Sequence, residues 1–344
     1  MAERIGVLTG GGDCPGLNAA IRAIVRKADE FNLTCYGFPN GWDGVINWSV
    51  EHLTIESTRG ILHRGGTILG TSRVTPYTED GDVERVKEAL RVHELDGLIV
   101  LGGEGTLRVA TKLGEEEGLP VVGIPKTIDN DVGGTDFTIG FVTALDIATE
   151  AIDRLHTTAE SHNRVMVLEV MGRHAGWIAT YSGMAGGADA ILIPERPFHI
   201  DEVARHLKQR AGRGRPFSIV VVAEGAEPAE GTIDRPEYEE DQFGRPRLGG
   251  IGHLIAEEIE ARTGYASRVT ILGHVQRGGS PHPMDRVIAT RMGVLAVELA
   301  REGDWGQMTG LRGGAVLPVP LKEATAELKR VPTELHEVAK TFFG

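Results

Sequence analysis

The 344-residue chain has only two cysteines, Cys14 and Cys35, too few for the disulfide framework of a small secreted domain. No apolar run approaches the roughly 18 residues of a membrane-spanning helix, and the start MAERIGVLTG lacks the regions of a signal peptide. Basic residues are outnumbered by acidic ones, 36 to 49, for a net charge of -13. That charge argues against a general nucleic-acid or anionic-membrane surface. We therefore expect a cytoplasmic protein with neither nucleic acid nor membrane as a partner.

Glycine, by contrast, is abundant, since its 47 residues are about twice the typical share of roughly 7%. A strand-like stretch at residues 5–9 ends in the run TGGGDCPG at residues 9–16, and a helical pattern follows directly. Free N–H groups beside a helix N-terminus form an anion site, although a tight strand-to-helix turn is the alternative. The run matches neither G-x-G-x-x-G nor G-x-x-x-x-G-K-[ST], so the two common nucleotide-binding motifs are absent from it.

Apolar strand-like runs alternate with helical patterns along the chain, which is typical of a parallel sheet covered by helices. We therefore predict an α/β fold, and the chain length favours two domains over one. The predicted strands are short and largely apolar, as strands buried on both faces are. They cover residues 5–9, 95–101, 120–124, 165–170, 190–193, 219–223 and 269–272. The polar stretch 227–250 lacks either periodicity and predicts a surface excursion.

Two short motifs follow predicted strands and suggest a reaction. GGEGT at residues 102–106 comes after the strand at 95–101, and PKTIDND at residues 125–131 comes after the strand at 120–124. Parallel sheets bind ligands at the carboxyl ends of their strands. The first motif offers glycines that admit a polyphosphate and a carboxylate for its metal. The second offers a hydroxyl and two carboxylates for proton and metal chemistry, so together the motifs predict a phosphoryl-transfer site.

Three further segments place arginine beside glycine. They are GGTILGTSR at residues 65–73, MGRHAG at 171–176 and GHVQRGGS at 273–280. A guanidinium group can bind two phosphate oxygens at once, and flexible backbone lets it approach. Taken singly, each arginine is explained as a solvated charge, and His174 and His274 as structural groups. Their recurrence at strand ends, beside a carboxylate cluster, favours an anion-binding site.

Four long motifs occur in order along the chain: GVLTGGGDCPGLNAAIR, NDVGGTDFTIGF, EVMGRHAGW and LGHVQRGGSP. On these motifs the chain resembles the 6-phosphofructokinases, specifically the bacterial family with ATP-dependent and pyrophosphate-dependent members. The resemblance runs nearly end to end. It implies a glycolytic enzyme that transfers a phosphoryl group from Mg-ATP to the C1 hydroxyl of fructose 6-phosphate, with Mg²⁺ as the cofactor.

The resemblance also implies an architecture and an assembly. The fold would be two Rossmann-like, three-layer α/β domains with mostly parallel sheets and the active site in the cleft between them. Residues 1–140 plus 275–325 would form the larger, donor-binding domain, and residues 141–274 plus 326–344 the smaller, sugar-phosphate-binding domain. The chain would form a homotetramer, or at least a dimer, because the sugar-phosphate pocket borrows basic residues from a neighbouring subunit.

Individual roles follow from the same resemblance. Asp129 would be the base for the C1 hydroxyl, Thr127 would contact the phosphoryl group in flight, and Arg173 would offset its charge. The donor residues would be Gly11, Arg73, Val74, Glu104, Gly105 and Thr106, with Glu104 also holding the metal. The sugar-phosphate residues would be Thr127, Ile128, Asp129, Arg164, Met171, Gly172, Arg173, Glu224, Arg268, His274, Val275, Gln276 and Arg277. Of these, Arg164 and Arg268 would come from the adjacent subunit.

Three positions bear on the phosphoryl donor. Glu104 stands where aspartate is usual, which keeps the carboxylate but adds a methylene. Lys126 stands where ATP-dependent members usually have glycine and pyrophosphate-dependent members have lysine. Gly105 stands where pyrophosphate users typically carry an aspartate that would obstruct the α-phosphate of a nucleotide. Because Gly105 leaves that volume open, we predict ATP as the donor, with pyrophosphate as the alternative.

Two hypotheses from other functional classes are open at this point. A GGDGT-like loop also occurs in lipid and NAD kinases, but those families do not supply the paired TIDND and HVQRGGSP segments. A regulatory paralogue without activity would share the fold. Thr127, Asp129, Arg173 and a metal carboxylate occurring together in one chain argue against it.

Overall fold

The computed structural model describes residues 2–233 and 248–341. Most of the predicted surface excursion at 227–250 therefore lies outside the described residues. The chain divides into two compact units, Met1–Thr143 with Arg277–Lys329, and Ala144–Gln276 with Arg330–Gly344. These limits lie within a few residues of the domain ranges given above, whose donor and sugar-phosphate roles stay predictions.

The strands occur in this order along the chain: β1 (Arg4–Gly10), β2 (Thr34–Phe38), β3 (Glu51–Leu53), β4 (Gly97–Gly102), β5 (Val121–Pro125), β6 (Val165–Val170), β7 (Ala190–Leu192), β8 (Ser218–Ala223), β9 (Ser267–Ile271), β10 (Gln307–Arg312) and β11 (Ala315–Pro320). The helices are α1 (Leu17–Glu30), α2 (Trp42–Ile46), α3 (Asp82–Val92), α4 (Glu104–Glu117), α5 (Phe141–His162), α6 (Trp177–Ala185), α7 (Ile200–Gly212), α8 (Ile251–Thr263), α9 (Pro283–Glu302), α10 (Leu321–Ala326) and α11 (Thr333–Lys340), with a 3-10 helix at Gly273–Arg277.

The first unit contains a seven-stranded sheet in the order β11-β10-β5-β4-β1-β2-β3. Its inner pairs are parallel, and the edge strands β3 and β11 are antiparallel to their neighbours. Strand β4 (GLIVLG) is buried at every position, because helices cover both faces of a parallel sheet. The core includes Leu8, Leu98, Val100 and Leu107, all fully buried.

The second unit contains a four-stranded parallel sheet in the order β7-β8-β6-β9. Strands β6 and β8 are its centre and are buried throughout. Residues of α7 and α8, such as Leu207 and Ile255, complete its core. The predicted α/β class with mostly parallel sheets is thus confirmed in both units.

Every predicted strand is present, with ends that differ by one or two residues at most. Strands β2, β3, β10 and β11 were not predicted. No helix in the described parts of the chain is long and apolar enough to cross a membrane.

Candidate active site

Three neighbouring strand ends of the first sheet carry the predicted donor and catalytic motifs. Gly10 at the end of β1 pairs with Gly102 at the end of β4, which in turn pairs with Pro125 at the end of β5. The glycine run, the start of α4 and the segment beginning at Lys126 therefore leave the sheet side by side, at the carboxyl edge where such sheets bind ligands.

The glycines at two of these ends are required by the close approach of Thr106. A Cβ atom at Gly10 would lie 2.7 Å from Thr106 Cγ2, and one at Gly102 would overlap the same side chain. Because real Cβ atoms do not approach so closely, glycine lets the first turn of α4 pack directly against the glycine run. Thr106 and the glycine run, both predicted to bind the donor, therefore lie next to each other.

Two hydrogen bonds join the glycine run to the predicted loop at 65–73. Gly11 N donates to Ser72 O over 3.1 Å, and Thr71 Oγ1 donates to Gly11 O over 2.5 Å. The backbone of the exposed Arg73 therefore follows directly after the residues that bond to Gly11. Val74, the next residue, packs against the core. Arg277 also lies here, since its Nη1 donates to Asp13 O over 3.3 Å.

Helix α4 begins at Glu104, directly after β4. Its first backbone N–H groups have no partner within the helix, so this end attracts anions. Gly105 is exposed, and a Cβ atom added there would have no neighbour within 4 Å. The Glu104 carboxylate forms an ion pair with Arg108, one turn along. The predicted donor segment is thus the first turn of a helix.

Lys126 is almost completely buried beneath the glycine run. Its Nζ donates to Gly10 O over 3.0 Å and also to Gly12 O. Burial lowers the pKa of the Lys126 ammonium. The side chain predicted to bear on donor choice therefore binds the loop that would hold the donor.

The segment 127–131 is folded by its own polar groups. Asp129 N donates to Thr127 Oγ1 over 3.1 Å, which holds the Thr127 side chain against the backbone of Asp129. Asn130, fully buried, has φ +52°, a left-handed conformation that asparagine tolerates better than most residues. Ile128 is also fully buried, so its side chain belongs to the core. The left-handed turn at Asn130 sets Asp129 and Asp131 on either side of it.

Burial, followed by repulsion from Asp129, raises the pKa of Asp131 to about 7; Glu104 adds repulsion and Lys126 opposes it. The Asp131 Oδ1 atom is buried and accepts no hydrogen bond from the described residues. A cation would satisfy this oxygen and relieve the repulsion. The carboxylates of Asp131 and Glu104 thus fit Mg²⁺, which proteins usually bind through one or two carboxylates together with substrate phosphates. Among the described residues, no three His, Cys, Asp or Glu side chains form a metal site of their own.

The second unit assembles most of the predicted sugar-phosphate residues at the carboxyl edge of its sheet. Met171 N, just after β6, donates to Gln276 Oε1 over 2.7 Å. Gly172 has φ +131°, and a Cβ atom there would lie 2.7 Å from Ala175 O. The turn after β8 packs against Arg173, since a Cβ atom at Gly225 would overlap Arg173 O. Met171, Gly172, Arg173, Glu224 and Gln276 are therefore close together, and the exposed His274 and Val275 share the 3-10 helix with Gln276.

Arg164 and Arg268 lie elsewhere in the same unit. Arg164 precedes β6, and Arg268 pairs with Met166 near the start of β9. Both are at the amino edge of the sheet, whereas Met171 follows the carboxyl end of β6. The six residues of β6 separate the two edges by roughly 20 Å at about 3.3 Å per residue. A single second unit therefore does not bring these arginines to Met171.

Comparison with known proteins shows the family of the chain. Residues 4–300 match the phosphofructokinase family, PFK. The chain belongs to the phosphofructokinase family. Its relatives include the pyrophosphate–fructose 6-phosphate 1-phosphotransferase of Amycolatopsis mediterranei, which is 54% identical over 99% of this chain and 100% of that protein. They also include the ATP-dependent 6-phosphofructokinase of Corynebacterium efficiens, 51% identical over 100% of this chain and 99% of that protein.

A solved structure shows the same fold. The phosphofructokinase of Pichia pastoris, in the T-state, superposes with a TM-score of 0.84 and 32% sequence identity. The match covers 99% of this chain and 36% of that longer protein. The predicted resemblance to a phosphofructokinase family with both kinds of donor is therefore confirmed, and the relatives' names are divided over the donor.

Two features of this phosphofructokinase site were not predicted from the sequence motifs. The first is the role of Asn130, whose left-handed turn separates the two aspartates; the ability of asparagine to adopt this conformation was the available signal. The second is Asp285 in α9, which is fully buried and accepts hydrogen bonds from Gly140 N and from Thr143 N and Oγ1. Asp285 thereby caps the start of α5. An aspartate in the first turn of α9, which begins with proline, is an ordinary helix feature and does not indicate a partner far away in sequence.

Proposed function

We propose that this protein is an ATP-dependent 6-phosphofructokinase that phosphorylates the C1 hydroxyl of fructose 6-phosphate. The observation that carries the proposal is the alignment of the ends of β1, β4 and β5. It places a glycine run, a helix N-terminus and the Thr127–Asp131 segment at one sheet edge. The relative that is 54% identical is named as a fructose 6-phosphate 1-phosphotransferase, and the one that is 51% identical is named as a 6-phosphofructokinase. Both matches cover nearly the whole chain.

In this mechanism the glycine run and the first turn of α4 would bind the donor phosphates. Asp129 would accept the C1 hydroxyl proton as that oxygen attacks the terminal phosphorus and the bond to the leaving phosphate breaks. Thr127 and Arg173 would stabilise the charge on the transferring group. Glu104 and Asp131 would hold Mg²⁺, which when bound neutralises donor charge. Such catalysis rests mainly on positioning and electrostatic stabilisation.

The exposed position of Gly105 supports ATP as the donor, since nothing within 4 Å fills the space beside it. A nucleotide's α-phosphate could occupy that space, which an aspartate would fill with charge. Pyrophosphate is the second candidate. It is favoured by the buried ammonium of Lys126 beneath the glycine run and by a 54% identical relative named for pyrophosphate.

A donor comparison tests the proposal. Purified protein would be assayed at saturating fructose 6-phosphate and Mg²⁺, with ATP or pyrophosphate varied, and product formation followed. We expect a higher kcat/KM with ATP. A higher value with pyrophosphate would instead establish the second candidate, and no transfer to fructose 6-phosphate from either donor would refute both. A diacylglycerol lipid and NAD as acceptors would show whether the lipid-kinase or the NAD-kinase class applies instead.

The separation of Arg164 and Arg268 from Met171 supports a homo-oligomeric enzyme, tetramer or dimer, in which one subunit would lend these arginines to the sugar site of another. Replacing either arginine by serine should raise the KM for fructose 6-phosphate by roughly 10- to 100-fold, since a charge-assisted hydrogen bond is worth about 1.5 to 3 kcal/mol. The KM for the nucleotide should change little. Arg205→Ser, on the exposed face of α7, is the matched control.

Mixing subunits tests the sharing directly. Arg164→Ser and Asp129→Asn chains, each nearly inactive at low fructose 6-phosphate, would be combined under conditions that allow subunit exchange. If the site is shared, a hybrid contains intact sites and activity should partly return. No recovery after exchange has been verified would mean that each pocket is built from one chain.

A further inference from the structure

Lys329 contacts both ends of the segment that follows the predicted catalytic base. Its backbone N–H donates to Asp131 O over 2.9 Å. Its Nζ donates to Thr135 O and to Asp136 O, each over 2.8 Å. One residue, almost two hundred positions away in sequence, thus binds three carbonyl groups of the segment 131–136.

One of these carbonyl groups links Lys329 to the turn between the aspartates. Asp136 O also accepts a hydrogen bond from Asn130 Nδ2 over 3.2 Å. Asn130 Oδ1 in turn accepts from Thr138 N over 3.0 Å. Asn130 is therefore held in its left-handed conformation by a carbonyl group whose position Lys329 fixes, and Asp129 and Asp131 flank that residue directly.

The side chain of Lys329 is partly buried, and its ammonium group donates to two backbone carbonyl groups. Burying a charged group costs free energy unless it is hydrogen-bonded, so these contacts hold the side chain against the segment. By contrast, Lys322 of the same unit is 76% exposed and pairs with Glu115 over 2.7 Å.

We propose that Lys329 is a positioning residue for phosphoryl transfer, because it fixes the backbone that sets Asp129 and Asp131 in place. This inference rests on the proposed function of the site. Lys329 does not itself contact the reacting groups; it acts through Asp136 and Asn130. A small misplacement of a catalytic group can reduce the rate by about 10²-fold while substrates still bind.

Kinetics of a graded series test the proposal. Lys329→Met removes the ammonium at similar length, Lys329→Gln keeps an amide donor, and Lys329→Arg keeps the charge; Lys322→Met is the matched control. We expect the Met variant to lose roughly 10- to 100-fold in kcat, with both KM values within about threefold of the unmodified protein. The Gln variant should lose less, and the Arg variant should recover most of the turnover.

Other kinetic outcomes would overturn the proposal. They are a kcat within about threefold of the unmodified protein for the Met variant, a rise in KM that accounts for the lost kcat/KM, or an Arg variant no better than Met. If the Met variant does not fold, the Gln variant decides: a measurable loss of kcat at unchanged KM supports the proposal, and unchanged kcat overturns it.

Amide hydrogen exchange provides a readout that does not depend on the reaction. In the Met or Gln variant, peptides covering residues 127–140 should exchange faster, whereas the same peptides of Lys322→Met should not. Unchanged exchange would overturn the proposal that Lys329 fixes the backbone of this segment. If the unmodified protein phosphorylates no fructose 6-phosphate, the proposed function fails, and this exchange comparison still decides whether Lys329 fixes the segment.

Discussion

Asp129→Asn is expected to leave the fold and substrate binding intact while turnover falls by roughly 10²- to 10⁴-fold, the usual contribution of a positioned acid-base group. The amide is nearly isosteric with the carboxylate, so the hydrogen bond from residue 129 N to Thr127 Oγ1 is preserved. An amide, however, cannot accept the proton of the sugar hydroxyl. The substitution should therefore slow the chemical step while substrate binding and folding stay nearly unchanged.

The measurement is steady-state kinetics together with the Kd for fructose 6-phosphate and the thermal unfolding midpoint. Binding and unfolding should remain close to those of the unmodified protein. Asp153→Asn, on the exposed surface of α5, is the control for loss of one negative charge and should retain full turnover. If Asp129→Asn keeps more than about a tenth of normal turnover, Asp129 is not the base.

The interior of both sheets could be predicted from sequence because it is continuous and apolar. Strands such as β4 and β8 are buried at every position, so every residue contributes to one signal. The missed strands lie at or near the edges of the first sheet. Strand β11 (AVLPVP) is largely exposed and contains two prolines, and β3 has three residues, of which two are exposed. Short, exposed edge strands carry little hydrophobic pattern.

The residues of the candidate site likewise divide into those that could be predicted from sequence and those that could not. Motifs contiguous in sequence, such as the Thr127–Asp131 segment, could be found because strand, turn and functional groups occur within a few residues. Lys329 and Asp285 could not, because their partners are far away in sequence. Lys329 follows α10 in an ordinary polar stretch, and only folding places its ammonium on Thr135 and Asp136. A residue that acts through tertiary backbone contacts leaves no local pattern.

Gly105→Asp should reduce the ATP-dependent kcat/KM severely. Gly105 is in the first turn of α4, is exposed, and has nothing within 4 Å of an added Cβ atom, so aspartate fits without disturbing the fold. Negative charge at a helix N-terminus even favours the helix. Any loss of ATP use must then arise at the donor rather than from damage to the fold, and we expect its main cause to be the charge, which would compete with a phosphate for the same N–H groups.

The size of the effect follows from electrostatics. Two unit charges about 4 Å apart repel by about 4 kcal/mol at an effective dielectric constant of about 20. Exposure and salt weaken this, so we expect a fall of roughly 10²-fold rather than the full 10³-fold. Gly105→Asn, similar in size but neutral, separates charge from bulk and should lose much less.

Lys126 does not change this expectation, because a lysine in its position assists one donor without excluding the other. Its ammonium binds Gly10 O and Gly12 O beneath the glycine run, so it adds positive charge for any phosphate held there, including that of ATP. Exclusion at position 105 should therefore outweigh assistance at position 126. With Lys126 already in place, Gly105→Asp should shift the ratio of kcat/KM values toward pyrophosphate. ATP use unchanged by Gly105→Asp, or equally reduced by Gly105→Asn, would show that charge at this position does not select the donor.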